Sequence, residues 1–191
     1  MNLIISLVAA CAAAILWVSA SSMGTPQDAA PQVAAPVSTE SALMKPLAGD
    51  FTADMWMKMD AASEPMKTTG TCSTRLQTPG NFWLISDFNS SMMGEPFSGH
   101  SIMGYDMIKK KWVNSWVDSM APIIMHSEGD WDAKTKSWSL VWDFIDPMTN
   151  KPSKFRMVTT VKDHDHHDFA MFVVTPEGEY QNMGISYTRK K

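Results

Sequence analysis

The chain has 191 residues, which is enough for one domain of ordinary size and short for two. Its formal net charge is −4, and its lysines and arginines are dispersed along the sequence. This balance argues against a nucleic-acid-binding surface, because phosphate recognition needs a concentrated basic face. The short run Lys109-Lys110-Lys111 is typical of a solvated turn between strands.

Residues 1–20 have the pattern of a secretory signal peptide. The chain is apolar and uncharged from Leu3 to Val18, which is short for a membrane span of about 20 residues. It closes with Val18-Ser19-Ala20, a small-x-small site that a signal peptidase can cut. An uncleaved anchor is an alternative, since no Lys or Arg precedes the apolar stretch, and Val8-Ala9-Ala10-Cys11 also fits a bacterial lipobox. We expect an exported protein, periplasmic or secreted, that contacts a membrane only through this segment.

Residues 21–40 are rich in Ala, Pro, Ser and Gln and contain no aromatic residue. Such a segment buries too little apolar surface to offset its ordering entropy, so it is predicted to be a disordered tether. The folded domain is predicted at 41–191, and residues 41–49 form one helical turn or a short plug that leads into it. Cys72 is the only cysteine left after signal removal, and its alternating surroundings indicate a structural strand residue rather than a nucleophile.

From Asp50 onward, apolar and polar residues alternate with a period of two, the pattern of β-strands. Turn residues separate about ten such segments. The predicted strands are Phe51–Met59, Thr69–Gln77, Asn81–Phe88, Phe97–Tyr105, Lys111–Met120, Pro122–Trp131, Lys136–Ile145, Ser153–Lys162, His167–Val174 and Tyr180–Arg189. The short connections leave no room for crossover helices or long Greek-key returns. The sequence therefore predicts an all-β, antiparallel, up-and-down barrel.

Several short motifs occur in order along this domain. They are Leu47-Ala48-Gly49-Asp50-Phe51, Gly94-Glu95-Pro96-Phe97-Ser98-Gly99-His100, Gly104-Tyr105-Asp106, Trp116-Val117-Asp118-Ser119-Met120, Glu128-Gly129-Asp130-Trp131-Asp132, the segment 146–152 and Tyr187-Thr188-Arg189-Lys190. Over residues 43–191 the chain resembles the bacterial family of domain of unknown function 1579. Asp50 and Phe51 depart from its usual Thr or Ser and Trp. The resemblance implies a calycin-like barrel, similar to lipocalins, and an exported location; it carries no catalytic residues.

One strand suggests a ligand site inside the barrel. The alternating pattern places Trp112, Asn114, Trp116 and Asp118 on one face, and small barrels hold one ligand between apolar walls and a few polar groups. We expect a small apolar or amphipathic partner. The predicted inner wall consists of Trp56, Trp83, Trp112, Trp116 and Trp142, with Asn114, Asp118 and Arg156 as polar members. The alternative is a filled aromatic core in a structural or interaction module of the cell envelope, with Asp118 capping a turn or pairing with an arginine.

A second alternative is a hydrolase- or isomerase-like enzyme. His126 and Glu128 share a strand face and could act as acid and base, with His100, Tyr105 and Asp118 assisting. A hydrogen-bonded polar pair is the plainer explanation of His126 and Glu128, and no activated nucleophile accompanies them, so no catalytic residue is assigned. The candidate ligand-binding set is Trp56, Trp83, His100, Tyr105, Trp112, Asn114, Trp116, Asp118, His126, Glu128, Trp142 and Arg156.

No cofactor or metal is expected. The run Asp163-His164-Asp165-His166-His167-Asp168 contains metal-ligand residue types, but it falls where a turn belongs. The chain also has 17 methionines. Thioethers bind Cu(I) when their sulfurs are clustered and exposed, whereas Met55, Met57, Met59, Met92 and Met93 are spread over strands and turns. They are interpreted as an adaptable core.

Overall fold

A computed structural model of the protein describes residues 39–145 and 150–191. It contains one short helix, α1, a 3₁₀ turn and ten strands. The predicted signal peptide, most of the predicted tether and Cys11 lie outside the described residues. The elements are α1 Thr39–Met44, the 3₁₀ turn Lys45–Leu47, β1 Gly49–Met57, β2 Met66–Leu76, β3 Trp83–Met92, β4 Glu95–Asp106, β5 Lys111–Asp118, β6 Met125–Asp132, β7 Ser137–Ile145, β8 Pro152–Val161, β9 His166–Thr175 and β10 Gly178–Arg189.

The ten strands form a closed antiparallel barrel in up-and-down order. Each strand pairs with its neighbours along the chain, and β1 closes the ring by pairing with β10, from Phe51 opposite Arg189 to Met57 opposite Met183. The predicted fold class is confirmed. The strand bounds differ slightly from those predicted, most clearly in β3, which continues to Met92 instead of ending at Phe88.

Side chains alternate between the inside and the outside of the barrel, as the period-two pattern predicts. In β1, Phe51, Ala53 and Met55 are buried, whereas Thr52 and Asp54 are exposed. Residues opposite each other in an antiparallel pair share a face. The register therefore assigns every strand residue of the barrel to the inner or the outer face.

One end of the barrel is closed by the segment that precedes β1, and we call it the plugged end. Met44 of α1 is fully buried, and Leu47 of the 3₁₀ turn is 5% exposed. Both pack into a core cluster with Leu84, Met103, Trp112, Trp138 and Leu140. The predicted plug at residues 41–49 thus fills the barrel where β1 begins.

Arg189 ties the last strand to this plug. Its guanidinium donates hydrogen bonds to the carbonyls of Ala48 at 2.7 Å and Pro46 at 2.8 Å, and it lies over the Phe51 ring at 4.6 Å. Gly49 has a φ of +142°, and a Cβ there would overlap the guanidinium. The first and last motifs of the folded domain therefore form one contact that closes the plugged end.

A second core cluster fills the barrel between β1 and its neighbours. It consists of Phe51, Ala53, Met55, Cys72, Phe88, Phe97 and Ile185. Cys72 is a free thiol that is 8% exposed, and its burial raises its pKa. A buried thiol with a raised pKa is a poor nucleophile, which agrees with its predicted structural role.

Candidate functional site

The opposite end of the barrel, where β1 leads to β2, is built differently, and we call it the mouth. Trp116 and Asn114 of β5 and Trp142 of β7 face inward near it, and all three are only partly buried. Six inward-facing residues of β8 and β9 are also only partly buried: Phe155, Met157, Thr159, Phe169, Met171 and Val173. These side chains therefore face the interior of the barrel without being fully packed.

Three aromatic rings stack along this part of the inner wall. Trp142 and Phe144 have ring centroids 4.0 Å apart and planes inclined by 10°. Phe144 and Phe155 follow at 5.1 Å and 23°. The predicted site set contains only Trp142 of this stack. Phe144 shares its strand parity, whereas Phe155 is placed beside Trp142 by the pairing of β7 with β8.

Two polar groups of this wall have no hydrogen-bond partner among the residues that the structure describes. Within the described parts of the chain, neither the side-chain amide of Asn114 nor the indole nitrogen of Trp142 forms a hydrogen bond. Asp118 also faces inward, but both its oxygens are engaged. One accepts from the Trp116 indole at 2.9 Å, and the other accepts from the backbone of Met120 and Ala121. Asp118 therefore caps the turn after β5, as the alternative reading of the sequence proposed.

Trp112 and Tyr105 also face inward, but they belong to the plugged end. Trp112 is 3% exposed, and its ring lies edge-on to Trp138 at 5.4 Å and to Tyr105 at 5.7 Å. These rings are part of the packed core and do not reach the partly exposed wall.

The predicted inward placement of Trp56 and Trp83 is wrong. Each lies on the outer face, opposite a glycine of the neighbouring strand, Gly184 and Gly104 respectively. A Cβ on either glycine would overlap the indole, so the missing side chain makes room for the ring on the outer wall. Trp56 lines an outer groove of about 270 Å³ with residues of β8, β9 and β10.

Arg156 is also outward-facing, which corrects its assignment to the inner wall. Its guanidinium pairs with Glu179 and lies 4.2 Å from the centre of the Phe172 ring. The hydrogen bond and the charge of Arg156 lower the pKa of Glu179. Register explains the arrangement, because Arg156 and Phe172 are directly opposite on the outer face of β8 and β9.

The residues of the acid–base hypothesis do not converge. His126 and Glu128 lie on the outer face of β6, whereas Tyr105 and Asp118 face inward. His126 Nδ1 is 2.9 Å from Ser115 Oγ, and Glu128 accepts from Lys109 at 2.9 Å. Neighbouring strands supply closer partners than residues two apart on one strand, so the predicted His126–Glu128 pair is not formed.

His100 is on the outer face of β4 and does not line the mouth. Its Nδ1 is 2.6 Å from Asp87 Oδ1, and Asp87 also accepts from Arg75 at 3.1 Å. The hydrogen bond from His100 is the main reason why the pKa of Asp87 is lowered. His100, Asp87 and Arg75 therefore form an exposed polar triad.

The histidine-rich run begins as the turn between β8 and β9, at the plugged end. Asp163 accepts from the backbone of Asp165 and His166, which closes the turn. In the described part of the chain, no three His, Cys, Asp or Glu side chains are grouped to hold a metal. None of the helices described is long and apolar enough to cross a membrane.

Comparisons with known proteins agree with the fold. A family model described as "Protein of unknown function (DUF1579)" matches residues 37–189, and no curated protein matches the chain. The crystal structure of Rv2717c from M. tuberculosis is similar, with 11% sequence identity, a TM-score of 0.59 and coverage of 82% of this chain and 100% of that chain. A redesigned β-barrel is 12% identical over 80% of this chain and 96% of its own, with a TM-score of 0.38. Most of the chain, including the whole barrel, is matched by the family model, and the protein therefore belongs to the DUF1579 family.

Proposed function

We propose that the barrel binds one small, partly apolar molecule in its lumen, which it admits through the mouth. The observation that carries this proposal is the partly exposed inner wall of β5 to β9. Inward-facing aromatic surface in a barrel is normally buried by packing, as it is around Trp138 at the plugged end. Here the surface is left for another molecule to cover.

The chemistry of the wall defines the class of ligand. The stacked rings of Trp142, Phe144 and Phe155 offer flat apolar surface, which suits an aromatic group or an alkyl chain. The amide of Asn114 can both accept and donate hydrogen bonds, whereas the indole N–H of Trp142 can only donate one. A molecule with an apolar body and one neutral polar group fits this wall better than an ion.

Fluorine NMR of 5-fluorotryptophan-labelled protein tests the proposal directly. Trp116 and Trp142 face the lumen, whereas Trp56 and Trp83 lie on the outer face. Titration with a medium-chain fatty alcohol and with a naphthalene dye is expected to shift the resonances of Trp116 and Trp142. The resonances of Trp56 and Trp83 serve as internal controls and should stay in place.

A matched pair of variants assigns the binding to the wall. Trp142→Leu removes the first ring of the stack and is expected to weaken dye binding at least tenfold. Trp56→Leu changes the outer face and should leave the affinity within about twofold. Shifts confined to Trp56 would place the ligand in the outer groove. The absence of any shift with either probe would favour a structural module with no ligand site. Either result would contradict binding in the lumen.

We also infer that the protein is exported by its N-terminal segment. The support is the uncharged stretch Leu3 to Val18, followed by Val18-Ser19-Ala20. Intact mass of the protein recovered from its host is expected to match a chain that begins at Ser21, in the extracellular or periplasmic fraction. A full-length chain in the membrane fraction would indicate an anchor, and a full-length chain in the cytoplasm would contradict export.

A further inference from the structure

We propose that the mouth holds a binding site for a soft monovalent metal ion, Cu(I) being the biological candidate, made of methionine thioethers. A cavity of about 280 Å³ lies at the mouth between β1, β2 and the β3–β4 turn. Five of its nine lining residues are methionines: Met55, Met57, Met66, Met92 and Met93. This inference does not depend on the lumen ligand, whose wall is formed by β5 to β9.

Strand pairing brings these methionines together from distant parts of the sequence. Met57 and Met66 face each other across the first hairpin, and Met55 shares the inner face of β1 with Met57. Met92 reaches the same place from the end of β3. Strand register therefore clusters methionines that are scattered along the sequence.

The cluster is also accessible, as a site that exchanges ions must be. Met66 is 41% exposed and Met93 is 66% exposed, whereas Met55 is 5% exposed at the base of the cavity. An ion would therefore reach buried sulfur through exposed sulfur. Ordinary core methionines, such as Met44 at 0% exposure, offer no such path.

The remaining lining residues favour a soft ion over a hard one. They contribute two hydroxyl groups, from Thr68 and Ser91, and one cation, Lys67, which lies on the outer-facing parity of β2. The lining contains no carboxylate, imidazole or thiol. Mg²⁺, Ca²⁺ and Zn²⁺ require such ligands, whereas thioethers select Cu(I) and similar ions.

The backbone conformation of the β3–β4 turn disfavours methionine at position 93, and this observation is independent of the cavity lining. Met93 and Gly94 have φ values of +52° and +87° in the two-residue connection between β3 and β4. Such hairpin turns favour Asn-Gly, since Asn adopts a positive φ more readily than methionine does. Met93 therefore occupies a position that the backbone disfavours for it, while its side chain lines the cavity.

The test is calorimetric titration of the full chain with Ag⁺ in chloride-free buffer, since Ag⁺ is a soft monovalent ion that needs no reductant. One ion per chain is expected to bind. Met57→Leu/Met92→Leu should weaken binding at least tenfold, because leucine keeps the volume and removes the sulfur. The control Met107→Leu/Met120→Leu changes two exposed methionines outside the cavity and should stay within about twofold.

Two further variants keep the result unambiguous. Cys11→Ala/Cys72→Ala removes both thiols and should retain the Ag⁺ site. Met93→Asn is expected to weaken Ag⁺ binding while the melting temperature stays equal or rises, which no loss of folding can imitate. Absence of stoichiometric binding, loss of binding in the cysteine variant, or unchanged binding in Met57→Leu/Met92→Leu would each overturn the proposal.

Methyl NMR of labelled methionine locates the ion. Ag⁺ is expected to shift the ε-methyl resonances of the five cavity methionines and to leave those of Met107 and Met120 unchanged. If an apolar molecule such as cyclohexane shifts these resonances and Ag⁺ does not, the cavity is an adaptable apolar pocket and the metal proposal fails.

Discussion

The two ends of this barrel contain the same kinds of inward-facing side chain but bury them to different degrees. At the plugged end, Met44 and Trp138 are fully buried and belong to the same core cluster. At the mouth, Met92 and Trp142 occupy inward positions but are partly exposed. Burial of apolar surface is the main source of folding free energy, so the plugged end contributes more to holding the fold together. The partly exposed apolar surface of the mouth is the surface that the proposed ligand would cover.

The connections at the two ends match this division. At the plugged end, Arg189 of the last strand binds the carbonyls of Pro46 and Ala48 in the plug and lies over the Phe51 ring of the first strand. The corresponding region at the mouth contains the methionine cavity and the turn held by Asp118. A binding surface built on a rigid scaffold keeps its geometry, and here the scaffold is concentrated at the opposite end of the barrel.

Truncating a methionine at each end measures the difference most directly. We expect Met44→Ala to lower the free energy of unfolding by about 3 kcal/mol, since it leaves a cavity in a closed core. Met92→Ala should cost about 1 kcal/mol, because the site is already open to solvent. Urea unfolding followed by circular dichroism gives both values. Equal losses for the two variants would show that the mouth is packed as tightly as the plugged end.

The plugged end should also make stability depend on pH. His167 faces inward between Phe51 and Tyr187, is 8% exposed, and has an unpartnered Nδ1. Burial lowers its pKa from 6.5 to about 4, with Asp168 opposing the effect and Arg189 adding to it. The unfolded chain therefore binds this proton more tightly than the folded chain does.

The stabilisation from neutral His167 is complete above pH 6.5 and is lost as the pH falls to about 4, a loss on the order of 3 kcal/mol. Carboxylates such as Asp163 and Asp165 have lowered pKa values and lose their contribution only at more acid pH. Urea unfolding at pH 7 and pH 5 should differ in the wild type and agree more closely in His167→Phe. His164→Gln, which changes an exposed histidine, is the control and should keep the wild-type difference.

The contact between the plug and β10 should depend on the shape of the guanidinium. Arg189→Lys keeps the charge but cannot reach the carbonyls of Ala48 and Pro46 together, and we expect a loss of about 2 kcal/mol. Arg75→Lys changes an exposed partner of Asp87 and should cost less than about 0.5 kcal/mol. Thermal melting of both variants checks this ranking. Similar melting temperatures would show that Arg189 is an ordinary surface charge.

The local pattern of the sequence predicts the elements of this fold. Alternation within one strand places Trp112, Asn114, Trp116 and Asp118 on a common face, and the structure places that face inside. The short turns predict antiparallel neighbours, which leads to the barrel. The plug at residues 41–49 is predicted because it precedes the first alternating segment and contains Leu43, Met44 and Leu47.

Features that depend on register between strands are not available from one strand alone. Trp56 and Trp83 lie on the outer face, where each ring packs over a glycine. Those glycines lie on neighbouring strands, so the pattern within one strand does not reveal them. His126 likewise contacts Ser115, and Glu128 contacts Lys109, because the pairing of neighbouring strands places these residues side by side. Arg189 contacts Pro46 across 143 positions of the sequence. The methionine cavity combines three strands and a turn, so its members look scattered until the strands are aligned.

The smallest effect on stability is expected at the mouth, where it should have a local consequence. Asp118→Asn keeps one carbonyl oxygen for the backbone of Met120 and Ala121 and turns the acceptor of the Trp116 indole into an amide donor. We expect a cost of about 1 kcal/mol, together with a Trp116 ring that is no longer held. In fluorine NMR, the Trp116 resonance should move and broaden while that of Trp83 does not. Because the plugged end does not contact this turn, a large loss of stability in Asp118→Asn would show that the mouth contributes to holding the barrel together, and the division between the two ends would not stand.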